Sequence, residues 1–516
     1  MKLLTCGVTD LVVSHGVVDA VAPGPAGLGP EPSSGSAGNG TADQISAGLP
    51  KGLPEPVSRT ESSGGLGEPQ QRRLGQGVAV VSLDLPQAPV TCLDFWCRAG
   101  SAAETPAESG LAHFLEHMVF KGSERLGAGE FDLRIEALGG SSNAATGFDD
   151  VHYHVLVPPS AAAEAIDLLL DLVLAPRLDR QDFDLERQVV LEELAQSEDQ
   201  PEEVAFQQLL SRACPDHAYG QPILGRREAL EGHRAEAMAA FHQRLYKADN
   251  CCLAVAGPLG DGAILEHLER SALAGLARSD QPQSTTAAKG QGPGKRKGKG
   301  PGKPMARATA PARESDPSVP GAPSEPAPLR LQPGSDTVVL PRLEAARLLM
   351  AWQVPPASEL EAVIGCDLLT TLLAEGRRSR LVARLREQLR LVESIDLDLN
   401  GLEAGSLVLL EAVCESENLP AVEAEIRRVL QELLQAPPPL AELERAQRLV
   451  GNGYRFGLEA AGSVAGLLGN NNLWGRHQAL QAPLEALTHW DPQRLSRELA
   501  PLLDPERAFC LRALPA

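Results

Sequence analysis

From Gly77 the chain alternates, with apolar and β-branched residues taking every second place through much of GVAVVSLDLPQAPVTCLDFWCRAGS on either side of Pro86 to Pro89. That pattern predicts two strands joined by a short loop. A helix is expected from about Gly110 to Lys121. NAATGFDDVHYHVLVP (Asn143 to Pro158) reads as a second strand pair, with Val151, Tyr153 and Val155 on one face and His152 and His154 on the other. Residues 160–175 and about 179–213 carry helical periodicity. NCCLAVAGPL (Asn250 to Leu259) reads as a buried strand, with a helix after it over residues 261–275.

The same order then returns. ARLLMAWQVPP (Ala346 to Pro356) is a predicted strand, residues 358–375 and 379–390 are helices, and Val392 to Cys414 is a hairpin. Helices over residues 420–435 and 440–467 follow, and FCLRALP (Phe509 to Pro515) closes the block as a strand. Two blocks of similar length and element order imply an internal duplication, each copy an α+β domain.

Composition explains what lies between the blocks. The chain has 516 residues, and much of its 49 Gly and 41 Pro falls in two stretches, about residues 20–75 and 275–340. Such composition cannot bury enough apolar surface to offset the entropy of ordering. The expected boundaries are therefore a disordered extension over 1–75, domains over 76–275 and 341–516, and a flexible linker over 276–340. Lys289, Lys295, Arg296, Lys297, Lys299 and Lys303 in the linker are read as a solvated hinge, because no aromatic residues accompany them for base stacking.

The formal net charge of −21 argues against general nucleic-acid binding, which needs a basic face. Nine cysteines, an odd number with Cys251 and Cys252 as the only close pair in the two domains, indicate a reducing compartment without a disulfide framework. Asp10 and His15 interrupt the N-terminal apolar residues, and no run of 18 apolar residues occurs. Neither a secretory signal nor a transmembrane helix is expected, and the chain is assigned to the cytoplasm without a membrane partner.

The strongest local signal is GLAHFLEHMVFKG, in which His113 and His117 stand four apart on a predicted helix and Glu116 adjoins the second. Residues at i and i+4 share a face, so the two imidazoles can share one ion. Zinc accepts neutral imidazole, and a catalytic site adds a third protein ligand and an open position for water. Glu116 is placed to act on that water as general base. The H-x-x-E-H order is that of the inverzincins. Alone, five residues are equally compatible with a helix that exposes His and Glu.

Together with its surroundings the motif resembles the pitrilysin (M16) family of zinc metallopeptidases, in particular the shorter two-domain members that include mitochondrial processing peptidase. The resemblance covers nearly all of residues 77–516. It implies two duplicated mixed α/β sandwich domains of the LuxS/M16 type. LERQVVLEELAQSEDQP supplies Glu193, 76 positions beyond His117, which aligns with the third zinc ligand. Glu186, two helical turns earlier, matches the supporting acidic residue that orients the ligands.

GGSSNAATGFDDVHYHV resembles the family's substrate strand, which implies that Asn143 and Ala144 bind an extended peptide by strand addition. DHAYGQPILG (Asp216 to Gly225) resembles a further family motif, read as structural. His152, His154 and His217 are read as satisfied fold positions, since three protein ligands complete a catalytic zinc site.

One departure stands out. The family's second domain offers an Arg and, seven residues later, a Tyr to the substrate carbonyl. Here Arg386 aligns with the first, but the second position is Glu393, which cannot donate the hydrogen bond of a phenol. Arg386 is open equally to a substrate-binding and a surface reading. The resemblance thus implies a zinc endopeptidase with one Zn²⁺ per chain, acting on peptides or unfolded segments. It also implies a homodimer, or a heterodimer with a related subunit that supplies the Arg/Tyr pair. The other reading is a non-catalytic subunit that holds peptides or supports an assembly.

Overall fold

The structure is a computed structural model that describes residues 67–260, 262–279 and 326–516. The first half runs β1 (Gln70–Leu74), β2 (Val78–Asp84), β3 (Thr91–Cys97), α1 (Leu111–Val119), α2 (Glu130–Ala137), β4 (Ser141–Thr146) and β5 (Val151–Val157). It continues through α3 (Ala162–Leu174), α4 (Arg180–Glu198), α5 (Pro201–Ala213), α6 (Arg227–Gly232), α7 (Ala235–Leu245), β6 (Cys251–Gly257) and α8 (Ala263–Glu269). The second half holds β7 (Gly334–Leu340), β8 (Ala346–Val354), α9 (Leu360–Ala374), β9 (Ser394–Asn400) and β10 (Ser406–Cys414). After these come α10 (Leu419–Gln435), α11 (Leu440–Gly457), α12 (Ala461–Leu473), α13 (Ala482–Thr488), α14 (Pro492–Glu498) and β11 (Phe509–Pro515).

The duplication is visible in the sheets. The first has strand order β1-β2-β6-β3-β5-β4 and the second β7-β11-β8-β10-β9. Without β1 the two are the same: the first strand lies parallel to the last, and every other neighbour is antiparallel. β2 and β3, adjacent in sequence, are separated in space by β6.

Each sheet is covered on one face by helices of its own half. In β8, Leu348, Met350 and Trp352 join a core with Leu368 and Leu372 of α9 and Val422, Ile426 and Val429 of α10. The alternate residues Leu349 and Ala351 face the other way, as strand geometry requires, and meet Phe206, Leu209 and Leu210 of α5, which belongs to the first half. The exchange is mutual. α12 of the second half packs on β2, β3 and β6 of the first, where Leu473 meets Trp96 and Cys252. Small residues permit this approach: a Cβ at Gly469 would lie 2.3 Å from the Trp96 ring.

Several expectations shift. β1 falls within the stretch assigned to the N-terminal extension and β7 within that assigned to the linker, so the sheets reach beyond both boundaries. The helix expected over 179–213 is two, α4 and α5, because Pro201 has no N–H to continue the ladder and instead takes a first-turn position. The helix expected over 440–467 divides at Leu458–Ala460. Residues Val382–Gln388, within the expected helix 379–390, form a π-helical turn. The remaining extension and linker assignments, with the linker's basic residues, lie outside the described residues. The eight cysteines among the described residues are free and buried, and no helix there is long and apolar enough to cross a membrane.

Candidate metal centre

α1 is held on nearly all sides. Leu111, Phe114, Leu115, Met118 and Val119 are buried in the first core, and His113 is only 9% exposed. The helix begins at Gly110, whose φ of 82° is left-handed and whose lack of a side chain leaves the first turn without a local cap. Glu104 fills that role from a distance, its carboxylate accepting from Gly110 N at 2.9 Å and Ala112 N at 2.7 Å. Burial nevertheless raises the Glu104 carboxyl to about 8.

α4 lies alongside, with the rings of Phe114 and Phe183 4.6 Å apart. Phe183, Glu186, Val190 and Leu194 form its buried stripe, and Glu193 stands seven residues after Glu186 on a neighbouring line. The packing brings Glu193 Oε2 to 3.3 Å from His117 Nε2 and 3.7 Å from His113 Nε2. One donor atom from each of the three residues lies within 4.8 Å of the others. Zinc bonds of about 2.0–2.2 Å place tetrahedral donors roughly 3.3–3.6 Å apart, so two imidazoles and one carboxylate at these separations fit such an ion.

The surrounding groups fix this arrangement. His117 Nδ1 is 3.0 Å from Glu186 Oε1, and Lys121 Nζ is 2.6 Å from Glu186 Oε2. Glu186 is 6% exposed, and the bonds from His117 and Lys121 outweigh its burial and hold its carboxyl below the usual range. Burial opposes a charge on His117, but Glu186 and Glu193 more than offset it and raise the imidazole to about 9. His113, buried and beside that second imidazole, drops to about 4. Glu193 is lowered by its bond with His117. Burial raises Glu116, against the pull of a hydrogen bond donated by the Thr146 hydroxyl.

That bond ties α1 to β4. Thr146, Ala144 and Ser142 face the helices, whereas Asn143 and Ala145 face the opposite side. Among the described residues β4 is an edge strand, paired only with β5. Asn143 Oδ1 accepts from Ala144 N at 2.9 Å. Arg386 does not join the cluster by any contact among the described residues; its guanidinium pairs with Glu387 on its own turn at 3.1 Å. Glu393 begins β9's pairing through its backbone N–H to Val413 O.

His217 is satisfied, accepting from Tyr219 N and paired with Ala327 O at 2.8 Å. Tyr219, in the same motif, donates to Asp149 at 2.7 Å and accepts from Ala404 N of the second half at 3.0 Å, so that motif is a joint between halves. Lys121, Thr146 and Glu104 escape sequence reasoning. Lys121 is four residues past His117, and helical spacing alone could have found it.

In the second half α9 takes the place of α1, directly after the third strand from the sheet's end, and it carries Cys366 and Asp367 but no histidine. Comparison with known proteins agrees with this asymmetry. The family described as "Insulinase (Peptidase family M16)" matches residues 79–227, and "Peptidase M16 inactive domain" matches residues 234–450. An uncharacterized zinc protease of Mycobacterium leprae is 28% identical over 80% of this chain and 84% of its own length. The mitochondrial-processing peptidase subunit beta of Blastocladiella emersonii is 32% identical over 43% of this chain and 46% of its own. Among solved structures, a protease from Helicobacter pylori shares the fold with a TM-score of 0.74 at 23% identity, covering 87% of this chain and all of that one. The two family models together, on a chain of two duplicated α/β halves whose His/His/Glu cluster lies, among the described residues, in the first, place this chain in the M16 family of peptidases.

Proposed function

We propose that the chain is a zinc-dependent endopeptidase, with His113, His117 and Glu193 as ligands of one Zn²⁺. The observation that carries this reading is the convergence of those three donors beside the carboxylate of Glu116. The ion, when bound, supplies Lewis acidity that stabilises charge on a scissile carbonyl oxygen and acidifies a neighbouring water. Glu116 takes the proton of that water and passes it to the leaving amine; its raised pKa suits a group that must hold a proton between the two steps. Thr146 fixes the carboxylate's orientation, and Glu186 fixes the ring of His117. A peptide in extended form adds to the free edge of β4 along Asn143 and Ala144, which aligns its backbone with the strand that holds Thr146.

Glu393 in place of a phenol motivates the further proposal of a dimer, in which a related subunit supplies the Arg/Tyr function and Arg386 has at most a minor part. The free cysteines fit a cytoplasmic location. The non-catalytic reading finds support only in the "inactive domain" match, and that covers residues 234–450, outside the donor cluster.

The test is to purify the chain alone and with related partners, then measure zinc content and cleavage of a quenched peptide. One zinc per cluster, with cleavage lost in Glu116→Gln, is the expected result. Stoichiometric zinc without cleavage in any combination, or activity indifferent to Glu116→Gln, would sink the idea.

A further inference from the structure

A second group of donors lies on the opposite face of the first sheet. Asp94 of β3 and His154 of β5 are direct cross-strand partners, and His152 stands two residues before His154, so all three side chains share one face. This is the face that α12 covers at Trp96 and Cys252. Val151, Tyr153 and Val155 point the other way into the core. His152 Nδ1 is 3.0 Å from Asp94 Oδ1, and one donor atom from each of the three residues lies within 4.8 Å of the others.

Three features set this group apart from a buried histidine with an ordinary partner. The Asp94 side chain is 3% exposed and meets no Lys or Arg among the described residues; His152 is its single ion-pair partner. Burying a carboxylate is costly, and a single imidazole is its ion-pair partner among the described residues. His154 makes no hydrogen bond to a described residue, which leaves its ring nitrogens without a protein partner there. The rings are also fixed in place. Trp96 stacks on His152 with centroids 4.3 Å apart, and His152 stacks on His154 at 5.6 Å.

From this geometry we propose that Asp94, His152 and His154 form a second metal site, taking a divalent transition ion of the zinc class. Two imidazoles and one carboxylate select such ions over Ca²⁺ and Mg²⁺, which prefer all-oxygen surroundings. The ion ties β3 to β5 and offsets the buried charge of Asp94. It stands one strand in from the edge, since His154 is also the cross-strand partner of Asn143 on β4. Three protein ligands leave a position for water or a carboxylate. This proposal goes beyond the expectation of satisfied fold positions, which the Asp94 contact of His152 and the contacts of His217 fit.

The experiment uses the full untagged chain, stripped by chelator, equilibrated with Zn²⁺ and desalted, with metal counted by mass spectrometry. Wild type should hold two equivalents, His154→Ala one, and His113→Ala/His117→Ala one. Cobalt in the double variant should give ligand-field absorption that disappears when His154→Ala is added. Should His154→Ala fail to fold, His154→Phe keeps an aromatic ring against His152 and answers the same question. A single equivalent in wild type that is lost in His113→Ala/His117→Ala, or a count unchanged by either substitution at His154, overturns the proposal. An unchanged count in His113→Ala/His117→Ala would strike the catalytic site and leave this one standing.

Discussion

His117 and Glu186 share a 3.0 Å contact through Nδ1, and it decides which ring nitrogen is left for Glu193. A carboxylate on Nδ1 holds the proton there and presents Nε2 as the donor. Glu186→Gln keeps the size but loses the charge that serves both His117 and Lys121. Metal affinity should fall about 10- to 100-fold with folding retained, as read by competition against a chromophoric chelator.

Thr146 acts on Glu116 in a way that pH can reveal. Its hydroxyl stabilises the ionised carboxylate, so Thr146→Val raises the Glu116 pKa further and shifts the acid limb of kcat/KM to higher pH. The expected loss is about tenfold at pH 6 and much smaller at pH 8, because a hydrogen bond to a charged group is worth roughly 1.5–3 kcal/mol. A uniform loss across pH would indicate a strand defect instead. Valine suits a strand as well as threonine does.

The contact of Gly469 with Trp96 leaves no room for a methyl group. Gly469→Ala should destabilise the protein by about 1–3 kcal/mol through overpacking, despite the better helix propensity of alanine. Gly453→Ala in α11 is the control, since nothing lies within 4 Å of its added carbon. It should be neutral or stabilise by up to about 1 kcal/mol. Urea midpoints at one pH measure both.

Asp150 gives stability a pH dependence. It is buried between the halves, accepting from Trp474 Nε1 at 2.8 Å and Asn470 Nδ2 at 3.1 Å, and burial raises it to about 7. Between its unfolded value, about 4, and 7 the folded chain binds a proton that the unfolded chain has released. This group's contribution to stability therefore falls as pH rises through that window and levels off above it. Asp150→Asn retains an accepting oxygen without the ionisation. Relative to the variant, wild type should lose about 2 kcal/mol from pH 5 to pH 7, measured by urea unfolding.

What could be read in the sequence follows from where each signal resides. The β4–β5 pair was legible because Val151, Tyr153 and Val155 alternate with polar neighbours against a core on one side only. β1 and β7 were not. QQRRL has four exposed residues of five, and GSDTVVL is exposed over its first four, since both are edge strands with little to bury. The insertion of β6 between β2 and β3 is a pairing across most of the first half, and no local pattern records it. His113, Glu116 and His117 declare themselves by helical spacing. Glu186 and Glu193 needed a family resemblance, because in α4 they sit among many other acids. Asp94 was invisible as a partner of His152 until β3 and β5 were placed side by side.

The exchange of α5 and α12 bears on what covalent continuity between the halves is for. Each sheet finds its second apolar layer on the other half, through Phe206, Leu209 and Leu210 in one direction and Leu473 in the other. A backbone break anywhere between Ser279 and Pro326 leaves both of those layers, and the Tyr219–Asp149–Ala404 joint, chemically intact. Two fragments carrying those faces would then meet as complementary partners, at a cost set by the concentration at which they find each other. The geometry around His113 and Glu193 therefore rests on faces that recognise each other across the two halves.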